Sequence, residues 1–554
     1  MAGKGVNIYI GAASLRTCLG DKAETVTAMY NNESGLRYND SFSMHVGVAD
    51  VELVEGYTRF ESFLIEQLYN VLEASPVSLS DGQVQLIVST TKGNVELLAD
   101  GDDEISSRTF LYTSVQHVAN HFNCVNSPIV ISNACISGVS AFVVARDLLV
   151  SGKCKHVVVA GCDVLSEFIT TGFASFKSIS PLPCRPYDAE RDGLTLGEAA
   201  GAVVLTTNPE FATTPTVCLV GGAISNDANH ISGPSRTGDG LYYAISNAMK
   251  EARVSAGDIG FINAHGTATR YNDDMESKAI AWADLCDKPL NSLKGHIGHT
   301  LGASGVIETI LCVEQIRNGS ICGTFGFVSS DTTNALKVSA NAQTISSSCC
   351  IKTASGFGGC NAAIALKIKP TEEKAVSSER GRDVCVVAEY TLPQSEQPFA
   401  EYIRSEFKKF GQSDMKFYKM SDMSKGLYVA VERLLAMNGW EEVAPTRRAI
   451  ILSNRSASLD ADALHQQIIN KHLPEGASPA VFVYTLANVS AGEMCIRHRI
   501  QGDNTFFVED RDSGFAEGYA RRLIEKNCAD AVICGWCEYL KGNWNISIKL
   551  LKNI

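Results

Sequence analysis

The segment ISNACISGVSAF (131–142) sets a single cysteine between a short apolar run and a stretch with helical spacing. Ser132, Asn133 and Ala134 lead into Cys135, and the small residues Ser137 and Gly138 open the next element. A thiol at a helix start lies beside unpaired backbone N–H groups and the positive end of the macrodipole, which favour thiolate. A strand-to-helix corner also presents the sulfur to a ligand. Cysteines beside apolar sequence are more often inert core, so this corner gains meaning only if other groups converge on it.

Outward from the corner, apolar strands alternate with helices. VNIYIGAAS (6–14), VQLIVSTT (84–91), SPIVISN (127–133) and KHVVVAGCD (155–163) read as strands. RFESFLIEQLYNVLEAS (59–75) reads as an amphipathic helix, and a second helix is expected from Ile136 to Val150, with Val139, Phe142 and Val143 on one face and Gly152 closing it. Strands of near-continuous apolar character between helices predict a sheet covered on both faces. The cadence returns over 215–369, in TVCLVGGAIS, the helix GLYYAISNAMKEARV, the strand IGFINAH, another helix, and two final strands near SSCCIKTAS and AAIALKIK. The fold class expected is therefore α/β, with two related halves at 1–210 and 211–369. KPTEEKAVSSERGRD is polar and charged, which places a linker at 370–384.

Beyond it, the order helix then strand repeats in KGLYVAVERLLAMNG (425–439) and RAIILSNRS (448–456). FAEGYARRLIEKNCADAVICGWCEYL (515–540) echoes VSAFVVARDLLVSGKCKHVVVAGCDVL (139–165) in pattern and ending. Residues 385–554 thus read as a third, partial copy of the first half. The position facing Cys135 falls in VEDRDSG (508–514), where no cysteine occurs.

Composition narrows the function. The 554 residues are 45% hydrophobic and 20% charged, a folded chain of several domains. With Lys plus Arg at 48 and Asp plus Glu at 61, the net charge of −13 argues against non-specific nucleic-acid binding. The eighteen cysteines are scattered through apolar runs, the start MAGKGVNIYIGAAS lacks an h-region, and no uninterrupted apolar run spans a bilayer. Reduced thiols, a cytoplasmic location and no membrane span are expected.

Three further segments supply groups for Cys135. NAHGTATRYNDDMESKA (263–279) sets His265 where a strand meets a Gly-Thr loop, NSLKGHIGHTLGASGVIE (291–308) sets Lys294 and His299 before a small-residue helix, and the glycines of SGFGGCNAA (355–363) let backbone approach a ligand. With CRPYDAERDGLTLGEAAGAVVL (184–205), these segments closely resemble the β-ketoacyl synthases of fatty-acid and polyketide assembly. The resemblance is to the elongating Cys-His-His type, covers residues 1 to 369, and implies a thiolase-like layered fold of two related halves.

The resemblance implies a division of labour. Cys135 would hold an acyl chain as a thioester. His265 and His299 would donate to the thioester oxygen of a malonyl unit as it loses CO2. Lys294 and Glu276 would organise the histidines. The N–H groups of Cys135 and Phe357 would form an oxyanion hole, with the Phe357 ring as a gate. Thr267 and Thr269 would bond the phosphopantetheine arm. That arm belongs to an acyl carrier protein, so neither a cofactor of the chain's own nor a metal is expected. Assembly is expected as a homodimer, a pseudo-dimer or a hetero-oligomer with a related synthase subunit. Arg270 departs from the family, which commonly has proline there. The third copy resembles fragments near synthases of aryl-polyene-type pathways, through an FYKM element at 417–420.

Two alternatives remain. A thiolase-like enzyme acting on CoA esters is opposed by the Lys294/His299 pair and by GFGGCN, although Cys360 could stand for a thiolase's second cysteine. A non-catalytic chain-length or scaffold partner would lack the nucleophile, which is present here with both histidines.

Overall fold

A computed structural model describes residues 6–99, 105–368, 382–411, 414–471 and 476–553. The expected linker at 370–384 lies outside these residues as far as position 381.

One strand order recurs three times. The first sheet contains β1 (Tyr9–Thr17), β2 (Val84–Ser89), β3 (Ile129–Ile131), β4 (His156–Asp163) and β5 (Ala199–Thr206). Its order is β1–β5–β4–β2–β3, the first two pairings antiparallel and the last two parallel. β4 and β5 are buried along their whole length, which is why they read as unbroken apolar runs. The second sheet takes β6 (Val217–Asn226), β7 (Ile259–Asn263), β8 (Pro289–Asn291), β9 (Cys349–Gly356) and β10 (Cys360–Ile368) in the order β6–β10–β9–β7–β8, with the same senses. The third takes β11 (Val384–Thr391), β12 (Arg448–Asn454), β13 (Phe506–Val508), β14 (Ala531–Leu540) and β15 (Asn543–Asn553) as β11–β15–β14–β12–β13, again with those senses.

The first and third sheets join edge to edge. β3 pairs antiparallel with β13, Ile131 against Phe507 and Val130 against Val508. Their helices share one core. Phe60 and Leu64 of α1 (Arg59–Glu73) belong to the same buried cluster as Leu427 and Val431 of a later helix, Asp422–Met437.

The first and second sheets meet through a pair of helices, α2 (Ser137–Val150) and one at Ser304–Asn318. A Cβ on Gly138 would lie 2.6 Å from the Val306 nitrogen, so the two helices touch backbone to backbone. The remaining helices used below are α3 (Glu167–Ser175), α4 (Asp239–Ala252) and α5 (Arg270–Trp282). Numbering then continues with α6 (Ser304–Asn318), α7 (Asp422–Met437), α8 (Leu459–Asn470), α9 (Val489–His498) and α10 (Phe515–Glu525). Between the first and third units, Asp147 of α2 pairs with Arg522 and Lys526, and buried Lys92 lies 2.7 Å from Asp462 of α8.

The first and third sheets differ in the connection between their two long antiparallel strands. Between β4 and β5 the chain runs through residues 164–198, including α3, whereas β14 and β15 are joined by Lys541–Gly542 alone. Both turn residues have positive φ, 48° and 83°, the geometry of a tight primed hairpin. All eighteen cysteines are free thiols. Among the described residues, no single helix is long and apolar enough to cross a membrane.

Candidate active site

The Cys135 corner is built by its own sequence. Ala134 takes φ 48°, an unusual left-handed turn for a residue with a side chain. The Ser137 hydroxyl pins that turn, donating to the Ala134 carbonyl at 2.6 Å and accepting from the Asn133 N–H at 2.7 Å. Cys135 follows at 9% exposure, just ahead of α2.

Two histidines are brought to it from the second half. Cys135 Sγ and one ring nitrogen from each of His265 and His299 all lie within 4.8 Å of one another. The imidazoles meet edge to face, their centroids 5.1 Å apart. Glu276, buried on α5, accepts the backbone N–H groups of His265 and Gly266 at 2.8 and 2.7 Å, and so fixes the loop that leaves β7. Gly298, at φ 78°, turns the chain into His299. The Leu301 N–H then donates to His299 Nδ1 at 3.1 Å, which leaves the proton on Nε2. His299 Nε2 is therefore a hydrogen-bond donor. A soft divalent cation could use a Cys-His-His set, but ligation at Nε2 would require that proton to leave.

Three fully buried charges stand behind the histidines. Lys294 donates to the His265 carbonyl at 2.6 Å and to Glu308 at 2.7 Å, and Lys352 pairs with the other Glu308 oxygen at 2.5 Å. Against the burial that alone would raise it, the two ammoniums hold the Glu308 carboxyl below its ordinary value. One carboxylate for two ammoniums leaves net positive charge. Burial first, and Lys294 next, hold both imidazoles well below their ordinary value of 6.5, so both are neutral.

The nucleophile corrects the sequence expectation. Burial pushes the Cys135 thiol up to about 12, with Lys294 the main opposing influence. The resting group is a thiol, because desolvation outweighs the favourable charges around it.

The other expected residues lie around this centre. Thr267 and Thr269 sit after His265 with their hydroxyls 2.9 Å apart. Arg270 forms an exposed ion pair with Asp331 at 3.2 Å. Gly356 brings the next loop against the corner, and a Cβ on it would lie 3.1 Å from both the Cys135 nitrogen and Cys360 Sγ. The half-buried Phe357 ring packs on Phe173 and Phe176 at centroid distances of 6.1 and 5.2 Å. Phe482, from the third sheet's unit, packs on the same two rings at 5.3 and 6.2 Å.

Several contributors carried no sequence signal. Glu308 and Lys352 stand in apolar runs. Asp163, at the end of β4, accepts the Thr91 and Gly302 N–H groups at 3.0 and 2.7 Å, tying the loop after β2 to the loop after His299.

The profile of the β-ketoacyl synthase N-terminal domain matches residues 55–210, and that of the C-terminal domain matches residues 217–328. Over these residues the chain is similar to the β-ketoacyl synthases in both of their domains. A 3-oxoacyl-[acyl-carrier-protein] synthase 2 of Rhizobium meliloti (strain 1021) is 33% identical over 250 residues, 42% of this chain and 59% of that protein. The chain spans about three fifths of the length of the curated relatives it matches above 30% identity. A ketosynthase of Xenorhabdus doucetiae, solved in complex with its chain length factor, is 26% identical with a TM-score of 0.59, covering 66% of this chain and 98% of that one. The fold of a second solved protein, the PfaC ketosynthase–chain length factor, covers 99% of this chain and 78% of its own, with a TM-score of 0.81 at 13% identity.

Proposed function

We propose that the chain is a β-ketoacyl synthase, an acyltransferase that joins an acyl thioester to malonyl-acyl carrier protein by decarboxylative Claisen condensation. The observation that carries this reading is the meeting of Cys135, His265 and His299 in one buried centre.

In the first half-reaction Cys135 sulfur attacks the acyl-carrier thioester. The carbonyl oxygen gains negative charge beside the N–H groups of Cys135 and Phe357. The phosphopantetheine thiol then departs with the proton that Cys135 gave up. In the second, malonyl-carrier loses CO2, and the developing enolate oxygen accepts hydrogen bonds from the Nε2–H of His299 and from His265. Neutral imidazoles suit this role, since they donate without needing to be charged. The enolate carbon attacks the Cys135 thioester, the new carbon–carbon bond forms, and the Cys135 thiolate leaves and is reprotonated from solvent. Lys294 and Glu276 act here by placing His265, and Thr267 and Thr269 line the approach of the arm. No step calls for a cofactor beyond that arm.

On this reading residues 1–210 and 211–369 form the synthase, and 385–554 are a degenerate first-half domain serving as an internal pseudo-partner. The repeated strand order and the β3–β13 pairing support that assignment, as does Phe482 in the wall beside Phe357. The test is product formation from acyl-carrier and malonyl-carrier, with intact-mass detection of the acyl-enzyme. Wild type should form both and Cys135→Ala neither. Equal activity in the two proteins would remove Cys135 from the chemistry, and turnover of acyl-CoA alone would favour the thiolase alternative.

A further inference from the structure

Phe357 is held from outside the synthase segment. Asn488, which precedes α9 in the third sheet's unit, donates its side-chain amide to the Phe357 carbonyl at 2.8 Å. The Cys360 thiol lies 3.2 Å from the same oxygen. Asn488 is 2% exposed, and its Oδ1 is buried with no partner among the described residues. The contact needs glycine on both sides. A Cβ on Gly358, at φ 89°, would lie 2.6 Å from Asn488 Nδ2, and a Cβ on Gly492 of α9 would lie 2.7 Å from the Gly358 carbonyl. The rest of the loop is tied to its own half, through Gly358 N–H to Ile231 at 2.6 Å and the Asp227 N–H to Gly359 at 2.7 Å. The amide of Asn488 therefore adds a hydrogen bond from the third unit that reaches Phe357 itself.

We infer that Asn488 is a positioning residue of the reaction, which fixes Phe357 so that its N–H faces the acyl oxygen on Cys135. This rests on the synthase reading above, and it gives the third unit a part in the first half-reaction alone. Anchoring the carbonyl restricts rotation of the Phe357 backbone, and with it the aim of the N–H and the place of the ring. Decarboxylation depends on His265 and His299, which Asn488 does not touch.

The variant Asn488→Asp keeps the shape and removes the donor. With its carboxylate ionised it repels the Phe357 carbonyl. Acylation of Cys135, followed by intact mass in single turnover, should slow by about tenfold or more, on the scale set by loss of an oxyanion donor. Protonation of the acid restores an O–H donor, so acylation by Asn488→Asp should recover as pH falls. Asn488→Ala should be slowed without that recovery. CO2 release from malonyl-carrier should match wild type in both variants, and wild type must itself give condensation product, which separates failure of this inference from failure of the synthase reading. Wild-type acylation rates in both variants would overturn the inference. So would equal, pH-independent losses in both half-reactions, which would mark plain destabilisation, and Asn488→Ala decides the matter if Asn488→Asp does not fold.

Discussion

The chain contains the same strand-to-helix corner twice, and only one of the two is closed. β3 leads through Cys135 to Ser137–Gly138 and α2, while β13 leads through Arg511 to Ser513–Gly514 and α10. Cys135 is buried, whereas Asp510, Arg511 and Asp512 are exposed. The backbone turns differently, through Ala134 at φ 48° in the first corner and Gly514 at φ 75° in the second, and the cover differs too. Over the first corner lie α6, whose Gly305 meets Gly138, and the loops that bring His265, His299 and Phe357. Among the described residues, nothing comparable covers the second corner. On the proposed reading, the corner is a scaffold, and the side chains that the second half brings over it supply the chemistry.

The largest way to break this comparison is to move the thiol. Arg511→Cys in a Cys135→Ala background should give no acyl-enzyme by intact mass, a loss of at least about a thousandfold, because the open corner lacks both histidines. Acylation at the new position would show that cover is dispensable. Next comes thiol reactivity. Burial pushes Cys135 up to about 12, while an exposed cysteine ionises near its ordinary value of about 8.5. Thiolate fraction rises with pH below the pKa. Alkylation of Cys135 by iodoacetamide, followed by peptide mapping, should therefore climb about tenfold per pH unit from 7 to 10 without a plateau. The thiol of Arg511→Cys should react about a thousandfold faster at pH 7 and level off near pH 9.

Smaller effects come from the paired glycines. Gly138→Ala drives a methyl against the Val306 nitrogen 2.6 Å away, and should cost about 3 kcal/mol in chemical denaturation and lower activity with it. Gly514→Ala meets open space at φ 75° and should cost about 1 kcal/mol, the strain of a left-handed alanine, with activity unchanged. Smallest is Arg455→Ala, which removes an exposed pair with Asp510 at 3.3 Å and should shift stability by less than about 0.5 kcal/mol.

Much of this was legible in the sequence, for definable reasons. The three α/β cadences came from apolar strands buried on both faces, and the Cys, His and Gly motifs occupy strand ends, where period and punctuation change. β1 starts three residues later than the apolar run suggests, at Tyr9 against an expected Val6, because pairing with β5 sets its limits. Lys352 reads as a strand residue in SSCCIKTAS, and Glu308 as one polar position in a helix, since only the folded chain brings each to the other. Asp163 binds backbone N–H groups, which leave no imprint on side-chain spacing. Asn488 sits in LANVSAG, a stretch with no motif, and its partner Phe357 lies 131 positions away. The resting thiol was misread because a helix start is local and visible, whereas desolvation is set by everything that folds over it.

The β3–β13 junction has a further consequence for stoichiometry. The free margin through which two separate subunits would zip together is here used up by the chain upon itself. On the proposed reading, each polypeptide would carry one reaction centre together with its buttress. Turnover per chain should then stay constant on dilution.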